Sequence, residues 1–189
     1  MLHLFSLRQS KHKGKYTTYM IKFNKNEYLI FATIIICAIC YHVDNLGYTY
    51  GSTWQRLTYS FAHAGLLHLS INMLSFLSLS LPLRHSPYIA LSMLCAVLAT
   101  FGTEMYVPTV GLSGVCYALL GVHTVLSGRW IRIGLSAAAY NFIIWAVSDS
   151  VNVWVHCAAY AYGAVIALIA EMGMKVYKNI KINTYGNRR

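Results

Sequence analysis

Six apolar runs divide this chain, and they leave it little freedom in what it can become. They cover roughly Tyr28 to His42, Leu66 to Leu83, Tyr88 to Tyr106, Ser113 to Leu126, Ile131 to Val147 and Val153 to Met174. Runs of this length and makeup are those of membrane-crossing helices. With 57% of its residues hydrophobic and 11% charged, the chain reads as an all-α integral membrane protein of six spans. Several runs are short for a hydrocarbon layer of about 30 Å, so helix ends must run into the connections or the bilayer must thin around them.

The net charge of +10 could suggest a nucleic-acid partner, but the placement of the charges argues for topology instead. Arg8, Lys11, Lys13, Lys15, Lys22 and Lys25 precede the first run, and Lys175, Lys178, Lys181, Arg188 and Arg189 follow the last. Arg84 lies between the second and third runs, and Arg129 and Arg132 between the fourth and the body of the fifth, Arg132 at its very start. With both termini cytoplasmic, 14 of the 15 basic residues lie inside and only Arg56 lies outside. The expected division is a basic cytoplasmic extension over 1–26, a six-helix domain over 27–174 and a basic cytoplasmic tail over 175–189. The basic ends are expected to hold to an anionic leaflet, and no nucleic acid is expected as partner. Residues 1–26 show no sustained apolar period and no small-residue cleavage site, so they read as a polar leader without structure of its own, mobile or lying on the membrane surface, and not as a removable signal. The connection 43–65, with Trp54, Arg56 and several tyrosines, is expected partly at headgroup level.

Polar residues inside apolar runs are costly, about 2 to 3 kcal/mol for a charge at the bilayer centre, and so mark either a function or a tight pairing. Gly111 to Gly121 reads GLSGVCYALLG, which sets Ser113 between glycines at the start of a helix. The glycines permit a sharp turn and close approach, and the helix start offers unpaired N–H groups beside the hydroxyl. That suits a nucleophile with oxyanion donors at hand. Glycine and serine are also ordinary packing residues of membrane helices, which leaves the motif open when taken alone. In TYSFAHAGLLHLSINM, His63 precedes the second run while His68 and Asn72, four apart, share one helix face. His156 stands one turn into the sixth run, where a lone histidine is commonly just a satisfied core residue. The fifth run carries few polar residues and reads as a packing or gating element. The five cysteines, including Cys37 and Cys40, read as small buried hydrophobes, so no metal or cofactor is expected. Gly114, Ala118 and Gly121 form one small-residue stripe, and Ala159, Gly163 and Ala167 another, along which two helices could approach closely.

With cytoplasmic termini, the even-numbered spans all start at the outer face. His68, Asn72, Ser113 and His156 then share one depth on three parallel helices, as independent scatter would rarely arrange. Ser113 suits a nucleophile, His156 a general base and then acid, and His68 and Asn72 oxyanion donors. No Asp or Glu lies within these spans near His156, so a dyad is expected and not a triad.

On GLSGVCYALLG, HAGLLHLSIN and His156, the chain resembles the rhomboid family of intramembrane serine proteases over most of residues 28–174. The resemblance implies a six-helix bundle with a wet cavity open to the outside, Ser113 and His156 as catalytic residues, and an oxyanion site of the Ser113 N–H, His68 and Asn72. Gly111, Gly114, His63 and Tyr117 would support them, with Tyr117 packing on the histidine. It further implies single-pass membrane proteins as substrates, cut after a small residue, and a bacterial inner-membrane location. The chain departs from the family pattern at Trp54-Gln55-Arg56, where the Trp–Arg pair is spread by one residue, and in LSLPLRHSP, which lacks the usual glycine and glutamate around Arg84. It departs again at Val155 and Ala159, where the family prefers a smaller residue and a glycine. The alternatives are an inactive rhomboid-like binder of membrane clients, which would usually have lost the serine or histidine, and a small transporter, for which no inverted halves are apparent.

Overall fold

The first helix starts where its cap is. In the computed structural model, which describes residues 7–12, 15–20, 23–49, 51–104, 108–147 and 151–186, α1 spans Lys25–Cys40. Asn24 accepts from the N–H groups of Asn26 and Glu27, and the Glu27 side chain bonds back to the Asn24 N–H, a capping box. The same turn reaches across to the connection after the second apolar run. Glu27 pairs with Arg84 at 3.3 Å, and Asn26 donates to the carbonyls of Arg84 at 2.9 Å and Ser86 at 2.8 Å. This polar network fastens the start of α1 to the Arg84 turn of LSLPLRHSP.

Upstream of α1 the structure corrects the sequence reading. Strand β1 (Leu7–His12) pairs antiparallel with β2 (Lys15–Met20), from Leu7 opposite Met20 to His12 opposite Lys15. The Tyr and Thr residues of KYTTYM favour strand, a local preference that a search for apolar runs passes over.

Six further helices follow: α2 (Gln55–Thr58), α3 (Leu66–Ser80), α4 (Tyr88–Ala99), α5 (Ser113–Ser127), α6 (Trp130–Val147) and α7 (Val153–Gly186). Short 3₁₀ turns at Leu81–Leu83 and Thr100–Gly102 extend α3 and α4, as expected where an apolar run outlasts its α-helix. The end of the third run at Tyr106, and Arg188 and Arg189, lie outside the described residues. The sixth run continues unbroken past Met174 to Gly186. Two helical stretches, Leu66–Leu83 and Val153–Tyr177, are long and apolar enough to cross a membrane.

Helix α5 occupies the centre, with Gly114 through Leu119, Gly121, Val122 and Thr124 all buried. Its densest neighbour is α7, and the reason is glycine. A Cβ on Gly121 would collide with the Tyr160 carbonyl, and one on Gly163 with the Ala118 carbonyl, so the two backbones meet with nothing between them. Thr124 and Tyr160 share a hydroxyl–hydroxyl bond of 2.9 Å across this seam. Lower on α5, His123 Nε2–H donates to the Leu79 carbonyl at 2.8 Å. Helix α6 packs far more sparsely, with Ile131, Leu135, Phe142 and Ile143 exposed.

The connection between α1 and α3 is held by Arg56. Its guanidinium lies over the rings of Tyr48 and Phe101, 4.5 Å from each centroid, and donates to the Thr100 carbonyl. Stacked on two rings, a guanidinium gains cation–π attraction while keeping its in-plane donors free. The extra residue between Trp54 and Arg56 has therefore not cost Arg56 an anchoring role.

Candidate active site

The segment before α5 is tied down at several points, and each tie helps to aim Ser113. Tyr48 and Thr109 exchange backbone bonds of 2.9 and 2.7 Å, and the Gly111 N–H donates to the Tyr59 carbonyl at 3.0 Å. The Tyr59 hydroxyl in turn donates to the Ala96 carbonyl at 2.9 Å, and burial pushes this phenol up to about 12, so it remains a donor. Gly111 has φ +111°, which a side chain would strain, and a Cβ there would lie 2.7 Å from His68 Cε1. Gly114 is confined in the same way by the Tyr59 hydroxyl, 2.7 Å from the place its Cβ would take. The two glycines of the motif thus admit His68 on one side of the serine and Tyr59 on the other.

Ser113 is the first residue of α5, so its N–H and the next two have no acceptor within the helix. Across the α5–α7 seam, Ser113 Oγ lies 2.8 Å from His156 Nε2. Helix α7 is set at the right height by Asn152, whose Oδ1 accepts from the Val155 N–H at 3.2 Å and whose Nδ2 donates to Thr109 Oγ1 at 3.3 Å. Val155 and Ala159, which depart from the family pattern, are both fully buried, and a Val155 methyl sits against Gly114. The departure fills space at the seam.

Tyr117 stacks on the His156 ring with centroids 4.5 Å apart and planes 13° from parallel. The other edge of that ring meets a residue the sequence reading passed over. His156 Nδ1 lies 3.0 Å from Oδ1 of Asn141 on α6. The group on this edge is an amide, standing where the third member of a triad would. A rule that treats every polar residue within a span as a candidate would have found it.

His68 and Asn72 face the same space. The Ala64 N–H points at His68 Nδ1 at 3.4 Å, which leaves the ring proton on Nε2, and Nε2 overlies Gly111. Asn72 spends one amide hydrogen on the His68 carbonyl at 2.9 Å and keeps the other. Each side chain therefore has a donor left over from these bonds, beside Gly111 in the cavity that Ser113 also lines. His63 lies one layer back: its Nδ1–H donates to the Phe61 carbonyl at 3.2 Å while Nε2 accepts from the Leu112 N–H at 3.4 Å. Burial lowers this imidazole from 6.5 to about 4, with its Phe61 bond opposing the shift and the nearby His68 adding to it. The proton-free Nε2 then holds the residue just before Ser113.

These groups open on a cavity of about 460 Å³ lined by His68, Asn72, Ser113, Tyr117, Asn152 and His156. A second cavity of about 440 Å³ adjoins it between α3, α5 and α6 and shares Ser75, Cys116, Tyr117 and Tyr140 with it.

A sequence model of the rhomboid domain matches residues 50–173, a stretch that includes every residue of the site. Human rhomboid-related protein 3 is 30% identical over an alignment of 135 residues that covers 64% of this chain and 33% of that protein. The chain thus spans about a third of the length of the curated relative it matches.

Proposed function

The chain belongs to the rhomboid family, and from that premise we propose that it is an intramembrane serine endopeptidase acting through Ser113 and His156. The observation that carries this reading is the 2.8 Å bond between Ser113 Oγ and His156 Nε2, both of which line a cavity of about 460 Å³. As the Ser113 oxygen attacks a substrate carbonyl, its proton passes to Nε2 and negative charge collects on the carbonyl oxygen. The Ser113 N–H, His68 Nε2–H and Asn72 amide receive that charge, aided by the positive end of α5. His156 then gives its proton to the departing amine. Water entering the cavity is deprotonated by the same nitrogen and releases the acyl group from Ser113.

The setting is a six-span bundle with both ends cytoplasmic, in a bacterial inner membrane. Its support is the charge placement, the six apolar runs and the family. The catalytic domain covers 27–174, flanked by the extension 1–26 and the tail 175–189. The substrates are single-pass membrane proteins cut near the outer end of their span. A helix in lipid hides its carbonyls in i to i−4 bonds, so a substrate must unwind before attack. Unwinding is cheapest in a wet cavity and in helices weakened by Gly, Pro or polar residues.

The test is labelling of detergent-solubilised protein by a serine-directed fluorophosphonate, beside cleavage of a model single-pass substrate. Wild type should label and cleave, and Ser113→Ala should do neither. His68→Ala and Asn72→Ala should each slow cleavage by roughly 10- to 1,000-fold, as for lost oxyanion donors. Cleavage by Ser113→Ala at the wild-type rate would end this reading, and equal cleavage of a substrate whose weak turn is replaced by leucines would end the account of unwinding.

A further inference from the structure

Helix α6 packs sparsely against the bundle, yet it delivers one buried polar side chain to the site. Asn141 is 6% exposed, while its neighbours Tyr140, Phe142 and Ile143 are 51%, 64% and 58% exposed. The helix has turned this amide inward, against the His156 edge opposite Ser113. A polar side chain within an apolar span is held there only if it is bonded.

What the bond does follows from donor and acceptor inventory. A neutral imidazole carries one N–H, on either nitrogen. If the proton sat on Nε2, His156 would point a donor at Ser113 Oγ, and its Nδ1 lone pair would face the Asn141 oxygen without a hydrogen between them. With the proton on Nδ1, the amide oxygen accepts it and the Nε2 lone pair is left for the serine hydroxyl. The second arrangement satisfies both edges, and only it can take a proton from Ser113. Tyr117 covers one face of the ring, so two edges and a face are each held from a helix other than α7. The titratable groups that line the cavity around the ring are Tyr59 from the segment before α3, His68 from α3, Cys116 and Tyr117 from α5 and Tyr140 from α6, and none of them is a carboxylate. A carboxylate in the place of Asn141 would bind the proton more strongly but carry a charge into an apolar bundle. The amide supplies the acceptor without that cost.

We propose that Asn141 is a positioning residue for the Ser113–His156 pair, its Oδ1 fixing the His156 tautomer that leaves Nε2 free to accept the serine proton. This rests on the proteolytic reading above for its consequence, though not for its geometry.

The experiment compares wild type with Asn141→Leu, which is similar in size and has no acceptor, and Asn141→Asp, which keeps one. Two readouts are taken: kcat and KM for a model substrate across pH, and ¹⁵N spectra of histidine-labelled protein, which report the protonated ring nitrogen. Asn141→Leu should lower kcat by about 10- to 1,000-fold with KM within about twofold, as for a base held in the wrong tautomer. Its His156 signal should move from Nδ1-protonated to a mixture. Asn141→Asp should recover most of kcat above neutral pH, with the acid limb of its profile moved to higher pH because an anion at Nδ1 favours the imidazolium. The proposal is overturned if Asn141→Leu keeps the wild-type kcat and tautomer, or if Leu and Asp variants lose activity and melting temperature alike. Should wild type neither label nor cleave, the proteolytic reading fails, while the ¹⁵N spectra still decide the role of Asn141.

Discussion

Helices α5 and α7 meet backbone against backbone, whereas α6 reaches the same site through side chains alone. The seam is made by residues that are missing their side chains: Gly121 against the Tyr160 carbonyl, Gly163 against the Ala118 carbonyl. On α6, Gly134 faces nothing closer than the Tyr160 hydroxyl, 3.5 Å from where a Cβ would stand. The difference teaches how two side chains on separate helices, Ser113 and His156, can be held in register in a bundle without a hydrophobic driving force between helices. Ser113 and His156 ride on the pair of helices that pack most closely, and the helix that carries Asn141 is attached more loosely.

If that division of labour is right, the largest effects belong to the chemistry on the seam. Ser113→Ala and His156→Ala should each lower turnover by roughly 10,000-fold or more, and the double variant should be scarcely worse than either, because groups that act as a unit are not additive. Cleavage assays on the three variants decide it, and a double variant markedly slower than both singles would mean that the two residues act apart. Next comes the seam itself. Gly163→Ala and Ala159→Leu must push α7 off α5, at a cost of about 1 to 3 kcal/mol or more. Both should lower the melting temperature in detergent and take activity down with it by lengthening the Ser113–His156 distance. Full activity in either would mean that the seam does not set that distance.

An effect on stability alone, smaller for turnover than those above, is expected from pH, acting one layer behind the seam. The folded protein holds His63 near 4 against 6.5 when unfolded, so between those values the unfolded chain binds more protons. Stability is complete above about pH 6.5 and declines as pH falls toward 4, by on the order of 2 to 3 kcal/mol. Melting curves from pH 8 to 4.5 should show this slope in wild type and a flatter one in His63→Gln. Parallel slopes would remove His63 as the cause. The smallest effect belongs to α6: Gly134→Ala should leave melting temperature and turnover nearly unchanged, and a loss as large as that of Gly163→Ala would erase the contrast between the two helices.

Much of the seam could be read from residue types. The stripes Gly114–Ala118–Gly121 and Ala159–Gly163–Ala167 announce close approach, and His68, Asn72, Ser113 and His156, each near the start of its run, come to line one cavity. Helix starts at Leu66, Tyr88, Ser113 and Val153 fall on the expected residues, because apolar runs bounded by Gly, Pro and Asn leave few other places to begin. Asn141 was passed over because a run scored for hydropathy averages out a single amide. The hairpin of β1 and β2 was missed for the opposite reason: its signal is strand propensity over six residues, with no apolar periodicity to betray it. Arg56 and Arg84 could not be resolved from sequence at all, since their partners Phe101 and Glu27 are distant in the chain and only the fold brings them near.

The bonds from the first turn of α1 to residues 84–86 also bear on where this chain can be shortened. Everything ahead of Asn24 precedes the first group that clasps α1 to the end of α3, so removal of residues 1–22 should leave the clasp whole. A chain beginning at Tyr28 would lose the cap, both Asn26 bonds and the partner of Arg84 in one stroke. The two chains differ by only a handful of residues, yet the shorter one would leave the frayed start of a membrane helix beside an uncompensated guanidinium, and the fastening that closes this end of the bundle would have to be supplied by lipid.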